Sequence, residues 1–214
     1  MELSGMWGSF YRISVVISKM AYVNLLWIAF TLVGFVVLGV APATVALFTI
    51  TRDWAKKDWD QPVFKTFWQT YREEFWRANG AGIAFFAIGF LLYWNFTLFA
   101  GAGVVMLIVR GLLLIITVLF GCMLVLFFPT YVSFHLKGLH RVRAALLIAC
   151  GHPYHLILIA VSLFILQSIF MFIPGLILFF AAASVAYIIS WISHRIFEAM
   201  KQKQLSHNEA PQHG

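Results

Sequence analysis

The chain has 214 residues, of which 62% are hydrophobic and 11% are charged, and its formal net charge is +7. Soluble domains average roughly 45–50% apolar and about 25% charged residues, so this composition excludes a soluble globule and indicates an integral membrane protein. The basic residues stand between apolar runs, as the positive-inside rule describes, so no nucleic-acid partner is expected.

The first apolar run, residues 20–40, is long enough to cross a hydrocarbon core of roughly 30 Å. Apolar side chains recur at helical spacing just before it, which predicts a helix lying in the membrane interface. These side chains are Met6, Phe10, Ile13, Ile17 and Met20.

After this run, Pro42 precedes "ATVALFTIT", which is too short to span a membrane. Three descriptions of this region are open. The first is one tilted helix that is kinked at Pro42 and runs to Arg52, and the second is a helix followed by a short interfacial helix that starts at Pro42. The third is a helix followed by a re-entrant segment that is buried by other helices. Because proline kinks are common in membrane helices, we expect the first span to be broken or kinked near Pro42.

Residues 62–78 carry aromatic side chains at steps of three and four residues. This pattern predicts an amphipathic cytoplasmic helix, pressed against the membrane or against a partner protein. Its aromatic face is the candidate partner-docking surface and comprises Phe64, Phe67, Trp68, Tyr71, Phe75 and Trp76.

Residues 81–128 contain a single charge, Arg110, and are too long for one span, so we expect a reversal at the glycine-rich residues 100–103. Pro174 and Gly175 divide the next long apolar run in the same way. The sequence therefore predicts an all-α bundle of five spans in a single domain, residues 1–200, followed by a disordered polar tail, residues 201–214. The spans are about 20–40, 82–100, 104–128, 154–173 and 175–193.

Lysine and arginine concentrate in residues 52–80, in residues 135–153 and in the tail, whereas the turns at 100–103 and 173–175 have none. The positive-inside rule places these loops and the C-terminus in the cytoplasm of a bacterial cell, with the chain in the inner membrane. Five spans then place the N-terminus outside, which disagrees with the charges of Arg12 and Lys19.

Four polar residues inside or near the spans form a candidate intramembrane site, because such residues in membranes are costly and often functional. They are Asn24, Asn95, Arg110 and Gln167. The structural alternatives are that Arg110 extends to the headgroups and that the amides bind neighbouring helices.

No motif for catalysis, metal or cofactor binding stands out. His135, His140, His152 and His155 lie near one loop without a completing ligand, and Cys122 and Cys150 have no metal-site spacing. There is no acidic residue between Glu74 and Glu198. We therefore expect no catalytic residues, no metal and no cofactor, and a protein that is not an enzyme.

The stretch "NLLWIAFTLVGFVVLGVAPATVALFTITRDW", with "VFKTFWQTYREEFWRA" and "RAALLIACGHPYHLILI", resembles the YesL-like family of small bacterial membrane proteins with a domain of unknown function. The resemblance extends from about Gly5 to Phe197. Gly-Pro-Ala is usual in that family, whereas Val40 and Ala41 separate Gly39 from Pro42 here.

Genes of the family commonly lie beside those for carbohydrate ABC importers and glycan-degrading enzymes. The resemblance thus implies a non-enzymatic accessory protein of sugar uptake, with the lipid bilayer and either importer permease subunits or further copies of itself as partners. The alternative is a small transporter or channel acting alone or as an oligomer.

Overall fold

The structure is a computed structural model that describes residues 6–98, 103–134 and 139–209, and all regular secondary structure in these ranges is helical. The helices are α1 (Met6–Val33), α2 (Val40–Ala55), α3 (Val63–Leu98), α4 (Val104–Ser133), α5 (Leu139–Gly151), α6 (Pro153–Phe172) and α7 (Gly175–Glu209). Helices α1, α3, α4, α6 and α7 are long and apolar enough to cross a membrane. The predicted all-α membrane bundle with about five spans is confirmed.

The break in the first span lies slightly before the expected proline. Helix α1 ends at Val33, residues 34–39 form a turn, and α2 begins at Val40. Pro42 is the third residue of α2, where its missing N–H costs little because the first turn of a helix has no intrahelical acceptor. The predicted break near Pro42 is therefore confirmed, with the proline inside the restarted helix.

Helices α1 and α2 form an antiparallel hairpin, which we call the α1–α2 hairpin. Trp27 Nε1 donates to Thr44 Oγ1 at 3.1 Å, and Lys19 Nζ donates to the carbonyl oxygen of Trp59, just beyond α2. The chain thus returns toward the end at which α1 began, and a single kinked helix running to Arg52 is wrong.

Helix α2 lies in the middle of the bundle and packs against α1, α3, α4 and α7. Its buried side chains include Leu47, Ile50 and Trp54, which share one core with Phe67 of α3 and Ile192 of α7. An interfacial helix is therefore wrong, whereas the burial by other helices that the third description expected is present.

The turn of the α1–α2 hairpin brings two backbone segments very close together. A Cβ atom on Gly39 would lie 2.8 Å from the Cα atom of Thr31, so only glycine fits. The turn also satisfies its own polar groups: the Val36 N–H donates to Thr31 O at 2.9 Å, and the Leu38 carbonyl accepts from Asn79 Nδ2 at 2.9 Å. Such internal satisfaction suits a turn in apolar surroundings.

Two segments that the sequence predicted as separate are one helix. Helix α3 begins at Val63, one residue into the predicted amphipathic segment 62–78, and runs without interruption into the predicted span 82–100, which is described as far as Leu98. The N-terminal interfacial helix is likewise continuous with α1. No proline lies inside α1 or α3. In α3 the backbone stays helical even through Asn79 and Gly80, a pair of residues that is typical of turns.

Two loop predictions are corrected. Residues 139–151, expected in a loop, form α5, which packs along α4 through Ala145 and Phe127. Helix α7 continues to Glu209, so residues 201–209 of the predicted disordered tail are helical, and residues 210–214 lie outside the described part. Residues 201–209 prolong α7, whereas α5 is a separate helix that ends at Gly151, two residues before α6 begins at Pro153.

The predicted reversals have the expected local structure. Gly103 has φ of +136°, a conformation that other residues rarely adopt, and α4 starts immediately after it; residues 99–102 lie outside the described part. Helix α6 ends at Phe172 and α7 begins at Gly175, so the break at Pro174 and Gly175 is confirmed.

Candidate functional site

The aromatic face predicted for docking is divided between the core and the surface. Phe67 and Tyr71 are buried, and Phe75 is partly buried against the same core. The Tyr71 hydroxyl donates to the Phe30 carbonyl at 3.1 Å, and the ring of Phe30 lies 5.2 Å from that of Phe67. The prediction that Phe67 and Tyr71 belong to a docking surface is therefore wrong, because both side chains attach α3 to α1.

Three aromatic side chains remain on the surface of α3. Phe64, Trp68 and Trp76 are exposed, and the exposed fraction of Trp76 is 80%. They stand at four-residue intervals with Arg72, which is also exposed, so they form one row along the helix. We call the four residues the α3 ridge.

Asn24 has a structural position. It is 1% exposed; its Nδ2 donates to the Leu178 carbonyl at 2.8 Å, and its Oδ1 accepts from the Ala183 N–H at 3.0 Å. One amide thus contacts the backbone of α7 at two points five residues apart, and both of its polar atoms are occupied. Asn24 attaches α1 to α7 and lines no open path.

The other three polar residues are not gathered around Asn24. Asn95 Nδ2 donates to the Leu91 carbonyl of its own helix at 2.7 Å, and Gln167 is exposed on α6. Arg110 lies on α4 against α3, with its guanidinium carbon 5.5 Å from the centroid of Phe96. The four polar residues therefore do not form one intramembrane site; they lie in at least three separate places in the bundle.

A polar cluster that was not predicted from the sequence joins three helices. The Tyr131 hydroxyl of α4 donates to Glu74 Oε2 of α3, and the guanidinium of Arg141 in α5 lies 3.8 Å from the centroid of the Tyr131 ring. Arg77 adds an ion pair to Glu74 at 3.4 Å. The sequence contains one indication of this cluster: Glu74 is the last carboxylate before 123 consecutive positions, 75 to 197, without an acidic residue.

A second overlooked cluster holds the end of α2. Arg52 pairs with Asp53 at 2.8 Å and donates to the Val132 carbonyl of α4. A separate buried amide, Asn79, holds the turn before α2, because besides the Leu38 carbonyl it contacts the Phe75 carbonyl of its own helix at 2.9 Å. These side chains look like ordinary loop or surface residues in the sequence, and only their partners from distant helices reveal their role.

The histidines offer little to a metal. The rings of His152 and His155 lie 5.7 Å apart, and His140 is exposed. Among the described residues no three histidine, cysteine, aspartate or glutamate side chains come together as a ligand group. His135 lies outside the described part.

The fold and these interhelical contacts define a multi-pass helical membrane protein. The family model "Protein of unknown function, DUF624" matches residues 20–96. From Bacillus subtilis (strain 168), the uncharacterized protein YteU is 36% identical over 99% of this chain and 94% of its own length. The uncharacterized protein YesL is 30% identical over 88% of this chain and 89% of its own length.

A third relative from the same organism, the uncharacterized protein YesV, is 29% identical over 90% of this chain and 91% of its own length. The chain therefore belongs to the DUF624 family of YesL-like proteins, as the resemblance in the sequence predicted. No solved structure matches it.

Proposed function

We propose that this chain is a non-enzymatic accessory protein that binds another membrane protein through the α3 ridge, and that this partner is the permease subunit of a carbohydrate ABC importer. The exposed tryptophans of the ridge carry the proposal. Tryptophan and arginine are the residue types most enriched among the energetically dominant residues of protein interfaces.

The surroundings of the ridge favour a protein partner over hydrocarbon. Lys65, Glu73 and Arg77 are exposed beside the three aromatic residues, and charged side chains are expensive in the hydrocarbon core. A surface with aromatic anchors and a charged rim has the composition of a protein interface. The headgroup layer also accepts tryptophan beside basic residues, so the experiment must separate these two environments.

The carbohydrate importer comes from the family resemblance, whose genes commonly lie beside those of such importers. The alternative function, a small transporter or channel, needs polar residues that line one path. It has less support, because Asn24 is buried between α1 and α7, Arg110 lies between α4 and α3, and Gln167 is exposed on α6.

The test is a crosslinked pull-down of the tagged protein from native membranes, with quantification by mass spectrometry. The double variant Trp68→Ala, Trp76→Ala should recover at least about tenfold less permease, since one such anchor contributes 2 kcal/mol or more. Trp94→Ala is the matched control, because Trp94 is also exposed on α3 but lies in its apolar half.

Equal recovery of permease with the wild type and the double variant would remove the ridge from the proposal. Recovery of further copies of this chain alone would support a self-contained oligomer instead. Sugar uptake by cells that carry the same variants gives an independent measure, and loss of uptake with the double variant but not with Trp94→Ala is the expected result.

We also propose a membrane topology in which both termini and all basic loops are cytoplasmic. The α1–α2 hairpin returns the chain to the end at which α1 starts, where Lys19 contacts Trp59. Counting α2 makes the number of passages even, which removes the disagreement between an outside N-terminus and the charges of Arg12 and Lys19.

Cysteine labelling tests this topology. In a background without the two native cysteines, Ile13→Cys and Val104→Cys introduce single thiols at exposed positions on opposite ends of the bundle. A membrane-impermeant maleimide applied from the outside should label Val104→Cys only. Labelling of Ile13→Cys in sealed cells would contradict the cytoplasmic N-terminus.

A further inference from the structure

Arg110 is a charge that the chain's own membrane helices leave uncompensated. The sequence has no aspartate or glutamate between residues 75 and 197. Among the described residues, Arg110 Nε is buried without a hydrogen-bond partner, and the guanidinium lies over the ring of Phe96. An unpaired cation inside an apolar helix pair is costly unless an anion reaches it from outside the chain.

An apolar groove of about 280 Å³ lies between α3 and α4 beside this guanidinium. Its lining residues are Leu92, Tyr93, Phe96, Leu114 and Thr117. Phe96 belongs both to the groove wall and to the contact with Arg110. Leu114 and Thr117 follow Arg110 by four and seven residues on α4 and so lie on the same face of that helix.

The polarity of the groove changes along its length. The Thr117 hydroxyl donates to the Leu113 carbonyl at 2.7 Å, so it is already occupied by its own helix. Apart from the hydroxyl of Tyr93, the walls are therefore apolar, and Arg110 supplies the positive charge at the end nearest the α3–α4 turn. Arg110 is six residues from the start of α4, about 9 Å along the helix axis.

We propose that this groove is a binding site for one anionic phospholipid. The phosphate lies against the Arg110 guanidinium, and one acyl chain runs along Leu114 and Thr117 toward the middle of the bundle. A long arginine side chain readily reaches headgroups from such a depth, and arginine binds phosphate oxygens with paired hydrogen bonds. The order of the two parts, charge near the turn and apolar groove below it, matches the order of headgroup and chain in a lipid.

A second copy of this chain is a poorer occupant than a lipid. Residues 75–197 of that copy contain no carboxylate that could pair with Arg110. A free phosphate ion would pair with the charge but would leave the apolar groove unfilled. A lipid satisfies both features at once.

The experiment measures binding of phosphatidylglycerol and of phosphatidylcholine with identical acyl chains to the delipidated full chain in detergent, by native mass spectrometry. The wild type should prefer phosphatidylglycerol. Arg110→Gln should weaken phosphatidylglycerol binding at least about fivefold, the change that corresponds to about 1 kcal/mol for one basic residue near anionic lipid. Arg110→Lys keeps the charge and should retain most of the preference.

Two further variants keep the result interpretable. Lys56→Gln removes an exposed charge in the loop after α2 and should leave binding unchanged. Leu114→Trp adds bulk at a side chain that is 55% exposed, and it should weaken the binding of both lipids while Arg110 stays in place.

Equal binding of the two lipids by the wild type, or unchanged phosphatidylglycerol binding by Arg110→Gln, would overturn the proposal. Inorganic phosphate serves as the soluble probe. If it displaces phosphatidylglycerol at an equal concentration, the groove contributes nothing and the lipid assignment fails.

Discussion

The double contact between Asn24 and α7 gives the sharpest test of how the bundle is held together. Leucine at position 24 has the same branched arrangement of side-chain heavy atoms as asparagine, although it is bulkier, and it cannot form hydrogen bonds. Asn24→Leu therefore removes the contacts with the Leu178 carbonyl and the Ala183 N–H, at 2.8 and 3.0 Å, and leaves an apolar side chain in a fully buried position.

The expected loss of stability follows from these two bonds. Interhelical hydrogen bonds in membrane proteins average about 0.6 kcal/mol and reach about 1.7 kcal/mol. Two bonds from one amide should therefore stabilise the α1–α7 contact by roughly 1–3 kcal/mol. The gain from burying a leucine offsets only part of this, because the two backbone groups of α7 lose their partner.

The free energy of unfolding can be measured by titrating the detergent-solubilised protein with a denaturing surfactant and following its helical content. Asn95→Leu is the matched control, because the Asn95 amide donates to the Leu91 carbonyl of its own helix rather than to another helix among the described residues. We expect the control to change the free energy of unfolding by less than about 0.5 kcal/mol. If the two variants are equally stable, the contact between Asn24 and α7 has no energetic role and the reasoning is refuted.

Two other substitutions test the hairpin turn and the polar cluster by the same unfolding assay. Gly39→Ala should lower the free energy of unfolding by about 1–3 kcal/mol, because the new methyl group is overpacked against Thr31. The control Gly121→Ala, with no atom near its new methyl group, should be neutral or stabilising by up to about 1 kcal/mol. Equal effects of the two substitutions would contradict the close approach of Gly39 to Thr31. Glu74→Ala should lower the free energy of unfolding by about 1–3 kcal/mol, because it leaves the Tyr131 hydroxyl without its acceptor. The control Glu73→Ala, at the exposed neighbouring position, should change stability little. If Glu74→Ala is also neutral, the cluster does not stabilise the fold.

The amphipathic pattern of α3 shows how far periodicity can predict a surface. It correctly identified a helix with an aromatic side, because three- and four-residue spacing reports a helical face. It could not say which aromatic residues face a neighbouring helix. Phe67 and Tyr71 were assigned to docking, yet Phe30 from a helix more than 30 positions earlier covers them.

The sequence by itself determined the class of this protein and most of its helices. The length of an apolar run, its hydropathy and the helix breaks at Gly103, Pro174 and Gly175 are local properties of the chain. They can be predicted without knowing which helices pack together. The break near Pro42 was visible for the same reason.

Only the tertiary structure decided the direction of the chain after that break and the partners of its polar residues. Helix α2 is too short and too apolar to reveal whether it continues or returns, and its antiparallel course depends on the close approach of Gly39 to Thr31 and on the contacts from α3 and α7. Asn24 and Glu74 find their acceptors and donors on helices more than 50 residues away. Such pairings are set by the packing of whole helices, which no local pattern encodes.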